Sequence, residues 1–182
     1  MSHKYRKAQG IVLKKQNYRE TDQIVTIWTR ELGKIRVLAR GLRKSGSKLA
    51  GALQDLSLVV FEVTGKFPTL VSADVKRNFK GIRSNLVKIA PACYACELIM
   101  KMTADEHPNV QAYSLLLDFL EKLDADATEL HAYTMIDIYA LNLAQSLGFG
   151  TPKEIGSHHE VRNFIESLIE RNIKSEPFLV SI

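Results

Sequence analysis

Three groups of residues in this chain have types and spacings that chemistry could use. Gly41-Leu42-Arg43-Lys44-Ser45-Gly46-Ser47-Lys48 follows an apolar run and comes close to a phosphate-binding P-loop. Such a loop needs Lys and then Ser or Thr directly after its second glycine, so that the ammonium and the hydroxyl reach phosphate and Mg²⁺. Here Ser47 precedes Lys48, so the segment reads as a flexible basic loop for nucleic-acid phosphates and not as a nucleotide-hydrolysing site. Cys93 and Cys96 have the spacing of half a zinc site, yet they are the only two cysteines, and structural zinc takes four ligands. His158 and His159 could complete a set only if folding brought them near. On a helix the two cysteines share a face and read as small hydrophobes; they offer no disulfide framework and suit a reducing cytosol. Asp105-Glu106-His107 and His158-His159-Glu160 mix acids with bases at helix edges, where capping and turn chemistry account for them. No catalytic residue, metal or cofactor is expected, and the chain reads as a non-enzyme.

The third group carries the strongest signal: basic residues interleaved with aromatics and turn residues. Lys34, Arg36 and Arg40 share one phase of a strand while Ile35, Val37 and Ala39 share the other, the pattern of one wet basic face and one buried face. Arg43, Lys44 and Lys48 extend that charge into the following loop, and Lys14, Lys15, Lys76 and Arg77 add to it from neighbouring strands. Tyr18 and Trp28 could stack on bases. Core packing is the other reading of Trp28, which shares phase with Ile24.

Charge over the whole chain supports this choice. The net charge of +5 over 182 residues is divided by position. Residues 1 to 83 hold 18 Lys and Arg against 6 Asp and Glu, net +12, whereas residues 84 to 182 hold 7 against 14, net −7. Such asymmetry between halves points to a nucleic-acid or membrane surface on the basic part. Apolar runs such as Leu58-Val59-Val60-Phe61 fall far short of the roughly 20 residues of a spanning helix. The basic start leads into no long apolar segment, so neither membrane insertion nor secretion is expected.

The elements that would position these residues fall into two kinds. Short β-branched runs at Ile11 to Leu13, Ile24 to Trp28, Ile35 to Ala39, Leu56 to Val63 and Leu70 to Val75 read as five strands. Hairpin turns are expected at Gly33-Lys34 and at Thr64 to Pro68, and Gly41 to Ala52 has room for a loop and one helical turn. Five strands with an insertion after the third fit an OB-type barrel, with an SH3-like barrel as the alternative. From Ile82 the period becomes helical. Leu86 to Met102 is expected as a helix that Pro91 either kinks or restarts. Tyr113, Leu116, Leu117, Leu120 and Leu123 form an apolar stripe. A long helix capped by Asp126 and Glu129 runs through Leu147, and Ser157 with Glu160 has capping-box spacing before a last helix. The class is therefore α+β, with a barrel over residues 1 to 80 and an all-α part over residues 81 to 182.

These residues also carry a family resemblance. Gly10-Ile11-Val12-Leu13, Tyr18 to Val25, Thr29-Arg30-Glu31-Leu32-Gly33-Lys34, Ala39 to Lys44 and Gly51-Ala52-Leu53-Gln54 resemble, in order, the N-terminal signature of the RecO family of bacterial recombination mediators. Val161 to Leu179, with Ile173-Lys174-Ser175 and Phe178-Leu179, resembles that family's last helix and tail. The resemblance implies an OB-fold joined to a helical domain in a non-enzymatic DNA repair protein of the bacterial cytoplasm and nucleoid. It implies binding of single- and double-stranded DNA, annealing of complementary strands, and, with RecR, help in loading RecA onto DNA coated by single-strand-binding protein. Many family members carry a four-cysteine zinc module after the long helix; here Phe149 to Ser157 is a short cysteine-free connection, so that module is expected to be missing. An RNA-binding OB protein and a helical interaction adaptor with a purely structural barrel remain as alternatives.

Overall fold

A computed structural model describes residues 5–125, 129–152 and 157–169. The Asp126 cap and the tail that holds Ile173-Lys174-Ser175 and Phe178-Leu179 lie outside the described residues, as does part of the connection after Phe149. The described residues cluster into two units, one running up to Asn78 and including Ala104–Val110, the other formed by Phe79–Thr103 and the chain from Gln111 onward.

The first unit is a five-stranded barrel closed in the order β1-β2-β3-β5-β4. Its strands are β1 (Arg6–Tyr18), β2 (Asp22–Thr29), β3 (Gly33–Ala39), β4 (Leu58–Thr64) and β5 (Thr69–Arg77), with a short helix α1 (Lys48–Ala52) between β3 and β4. Closure depends on the length of β1, whose first half pairs with β4 and whose second half pairs with β2. Gly10 and Ile11 belong to both ladders. A Cβ at Gly10 would stand 2.6 Å from the Ile27 side chain and 2.7 Å from the Trp28 carbonyl oxygen, so only glycine lets the strand turn the corner there. A register shift between Val12 and Lys14 adds the bend. β3 and β5 meet in parallel at Leu38 and Thr69, and this connectivity decides for the OB-type barrel.

Alternation along each strand fills the interior with Val12, Val25, Ile27, Ile35, Val37, Val59, Phe61, Val63 and Leu70, and Leu42 and Leu53 plug it from the β3–β4 connection. The strands run beyond the β-branched segments because polar residues at their ends find ladder partners: Gln16 opposes Ile24, Asn17 opposes Gln23 and Tyr18 opposes Asp22.

The helical unit comprises α2 (Lys80–Arg83), α3 (Leu86–Met102), α4 (Val110–Ala125), α5 (Glu129–Ser146) and α6 (His158–Ile169). Asn85 caps α3 by accepting from the Val87 amide at 3.0 Å. Pro91 lies inside this single helix, so it does not start a new one. Buried residues surround much of α3 without a polar stripe, as in a helix enclosed by its neighbours. Cys96 is buried and Cys93 exposed; the shared apolar face expected for them is therefore not formed, because the edge of the buried surface passes between them. Tyr139 of α5 packs on Phe119 of α4, with ring centroids 4.9 Å apart, and its hydroxyl donates to the Ala95 carbonyl at 3.4 Å. At α6 the capping box forms in both directions: Glu160 N–H donates to Ser157 Oγ at 3.3 Å, and Ser157 N–H donates to Glu160 Oε2 at 3.0 Å. His158 Nδ1 lies 2.7 Å from Asp137 Oδ1 and joins α6 to α5. No described helix is long and apolar enough to cross a membrane.

Candidate nucleic-acid interface

Residues that alternate with the barrel interior form the outer face of β1, β2 and β3, and the ladder registers place the basic ones. Lys14 opposes Thr26, which opposes Arg36, giving one row across three strands. The next row is Gln16, Ile24 and Leu38, and Tyr18 opposes Asp22 beyond it. Lys14, Arg36 and Arg40 are exposed, as expected of a wet face. With neighbouring strands ~4.8 Å apart, the two cations of the first row are spaced by about 10 Å.

The same face closes toward its other end. Trp28 opposes Lys34, and the two residues are 0% and 6% exposed. Trp28 therefore presents no ring face for stacking on a base. Lys34 is not on the wet surface either. The segment Ala104–Val110 lies along the start of β3, where Glu106 N–H donates to the Lys34 carbonyl at 2.9 Å and the Lys34 ammonium meets Asp105 Oδ1 at 3.3 Å. Arg36 reaches the other oxygen of that carboxylate, also at 3.3 Å. Gly33 makes the approach possible: its φ is +71°, and a Cβ there would stand 2.5 Å from the His107 carbonyl carbon.

The loop after β3 is shaped by hydrogen bonds to the β1–β2 turn. Gly41 N–H donates to Asp22 Oδ1 at 2.8 Å, Arg43 N–H to the Thr21 carbonyl at 2.9 Å, and the Arg43 guanidinium to the Glu20 carbonyl at 3.1 Å. Arg43, Lys44 and Lys48 are all exposed along this loop and the start of α1. Tyr18 is 39% exposed, and the Arg19 guanidinium stands 5.1 Å from its ring centroid. Lys15 is half-buried and lies 3.9 Å from Asp55. Lys76 and Arg77, both exposed, end β5. Arg77 opposes Leu58, which opposes Ile11, so the end of β5 lies two strands, about 10 Å, across from β1 three residues before Lys14. Of the ten basic candidates, Lys34 is enclosed, and the others are distributed over β1, β3 and its loop, and the end of β5.

Aromatic residues that the sequence did not single out are the most exposed in the barrel unit: Tyr5 at 64% and Phe67, in the β4–β5 turn, at 56%. The signal for Phe67 was its place in a Gly65-Lys66-Phe67-Pro68 turn, where an apolar ring has no core to enter. The two cysteines cannot supply a four-cysteine zinc site, and the described residues contain no cluster of three or more His, Cys, Asp or Glu suited to a metal.

Comparison with known proteins gives a consistent picture. Residues 1–79 match the family model described as Recombination protein O N terminal, and residues 83–152 match Recombination protein O C terminal. The proteins named DNA repair protein RecO from Listeria welshimeri and Listeria innocua are each 39% identical over 120 residues, covering 65% of this chain and 47% of the relative. The protein of that name from Anaeromyxobacter sp. (strain Fw109-5) is 37% identical over 142 residues, covering 76% of this chain and 56% of the relative. The chain spans about half the length of these curated relatives.

Proposed function

Because the chain belongs to the RecO family, we propose that it serves DNA repair and homologous recombination by holding DNA on its barrel and bringing complementary strands together. The observation that carries this reading is the exposed cationic cluster of Lys14, Arg36, Arg40, Arg43, Lys44 and Lys48 on one closed barrel.

The physical mechanism needs no bond-making step, nucleotide or metal. Two complementary strands repel each other through their phosphates, and a surface that neutralises both lowers the cost of their encounter. Phosphate contacts hold a strand without reading its sequence, so the bases stay available for pairing. In this reading the basic residues of β1, of β3 and its loop, and of the end of β5 offer more than one path for a strand around the barrel. The acidic helical residues have no electrostatic reason to hold DNA; in this reading they meet protein partners, namely RecR and single-strand-binding protein, and through them RecA. Such a role places the protein in the bacterial cytoplasm, at the nucleoid.

Stopped-flow annealing of dye-labelled complementary oligonucleotides tests the proposal. The intact chain should accelerate pairing at low salt with no nucleotide added, and high salt should abolish the effect. Binding without acceleration would leave a DNA-binding adaptor and reject annealing.

A further inference from the structure

Around Arg40 the barrel forms a recess of about 300 Å³ lined by Tyr5, Arg40, Thr64, Gly65 and Thr69. Chain connectivity explains why residues so far apart in sequence meet there. Leu38 pairs with Thr69 and its N–H donates to the Pro68 carbonyl at 2.8 Å, which sets the start of β5 beside the end of β3 and hence beside Arg40. Arg6 pairs with Val63, which places the preceding Tyr5 next to Thr64. Gly65, with φ +87°, turns the chain between β4 and β5.

The chemistry of this lining is selective. It holds a guanidinium, which stays charged at any relevant pH, and no carboxylate to neutralise it. Tyr5 presents its ring to solvent at 64% exposure, where an aromatic side chain gains nothing from the core. A fixed cation for an anion and a ring for a flat π-system match the phosphate and the base of a nucleotide. The recess is at the small end of the roughly 300–1,000 Å³ of ligand pockets, which suits one nucleotide unit and not a duplex. The β4–β5 turn of an OB-type barrel is also a place where such barrels meet oligonucleotides.

We propose that this recess is a subsite for one nucleotide of single-stranded DNA, with Arg40 on the phosphate and the Tyr5 ring stacked on the base. The inference rests on the proposed DNA-binding role of the barrel and adds a base-contacting position to what is otherwise phosphate contact. It also moves the stacking partner from Trp28, which is enclosed, to Tyr5.

The test compares binding of the intact chain to an oligothymidylate and to an abasic phosphodiester of equal length, which has the same charge and no bases. One stacked base is worth roughly five- to 150-fold, so wild type should prefer the oligothymidylate by that order. Tyr5→Ala should remove most of the preference while leaving the abasic affinity and its salt dependence unchanged, and Tyr5→Phe should restore it. Arg40→Gln should weaken both polymers alike and make the slope of log K against log salt shallower by about 0.7. An unchanged preference in Tyr5→Ala, with salt-dependent binding intact, would overturn the subsite and leave the wider reading standing. Failure of the wild-type chain to bind either polymer would overturn both.

Discussion

The Asp105 carboxylate is shared between two basic residues of one strand, with Oδ1 at 3.3 Å from the Lys34 ammonium and Oδ2 at 3.3 Å from the Arg36 guanidinium. The two ends of this contact differ in exposure: the Lys34 side chain is 8% exposed and the Arg36 side chain 63%. Asp105 thus compensates a nearly enclosed charge on one side and competes with solvent and phosphate for an open one on the other.

Replacing Asp105 by Asn should separate these two roles. Release of Arg36 adds about one cation for phosphate, so the salt dependence on single strands should steepen by about 0.7. Loss of the carboxylate beside the enclosed Lys34 should lower stability by about 1 kcal/mol, since Asp105 is itself 46% exposed and partly screened. Fluorescence titration at several salt concentrations and a thermal melt read the two effects; a shallower slope would contradict the assignment of Arg36 to the DNA face.

Lys34→Ala should do the opposite of an exposed-lysine substitution. Its ammonium lies against Asp105 and is shielded from incoming phosphate, so the main consequence should be a lower melting temperature, with the salt slope of DNA binding changed by much less than one contact. Lys44→Ala, at an exposed loop position, should shift the slope by about 0.7 without a change in melting. The reverse ranking in those two measurements would show that the enclosed and open cations have been misassigned.

Tyr139 provides a pH signature of the helical unit. Burial, chiefly, and the Cys96 thiol, secondarily, hold its ionisation well above the ordinary phenol range. The unfolded chain gives up this proton near pH ~10 while the folded chain retains it, so the stabilisation is complete below that pH and is lost as pH rises toward the folded value. Melting temperature should therefore fall above pH ~10, and Tyr139→Phe should show a gentler fall. Superimposable alkaline profiles for the two proteins would refute this source of pH dependence.

Ser157→Ala removes one half of the reciprocal cap at α6 and should cost about 1 kcal/mol in urea unfolding. Because Glu160 also reaches back to the Ser157 amide, Glu160→Ala should cost a comparable amount, and the double substitution less than the sum of the two. Strict additivity would indicate that the two hydrogen bonds are independent.

How much of this was legible in the sequence depended on how far each feature reached along the chain. Helix α3 was readable to both ends, since Asn85 and Thr103 flank a continuous helical pattern, and the Ser157–Glu160 cap was readable because its partners are three residues apart. The OB-type barrel was readable as five strands with an insertion, but its choice over an SH3-like barrel required the Leu38–Thr69 pairing across 31 residues. Strand ends were underestimated because Gln16, Asn17 and Tyr18 take extended structure from their β2 partners and not from their own preferences. Within the candidate site, the outward phase of Arg36 and Arg40 followed from alternation. The enclosure of Lys34 did not, because Asp105 arrives from 71 residues downstream. The recess at Arg40 was equally invisible, since it is assembled from the start of β1, the end of β3 and the β4–β5 turn.

In the proposed function the barrel holds DNA through phosphate contacts made by the residues around Arg40 and Arg43. The most direct test of this claim is a titration of fluorescent single-stranded DNA against the intact chain at several salt concentrations, repeated for the Arg40→Glu, Arg43→Glu double variant. For wild type, log K should fall linearly with log salt at a slope of about −0.7 for each phosphate contacted. The double variant should bind more weakly, with a shallower slope and the same loss on every sequence tested. Wild-type binding insensitive to salt, or a loss confined to particular sequences, would contradict the claim.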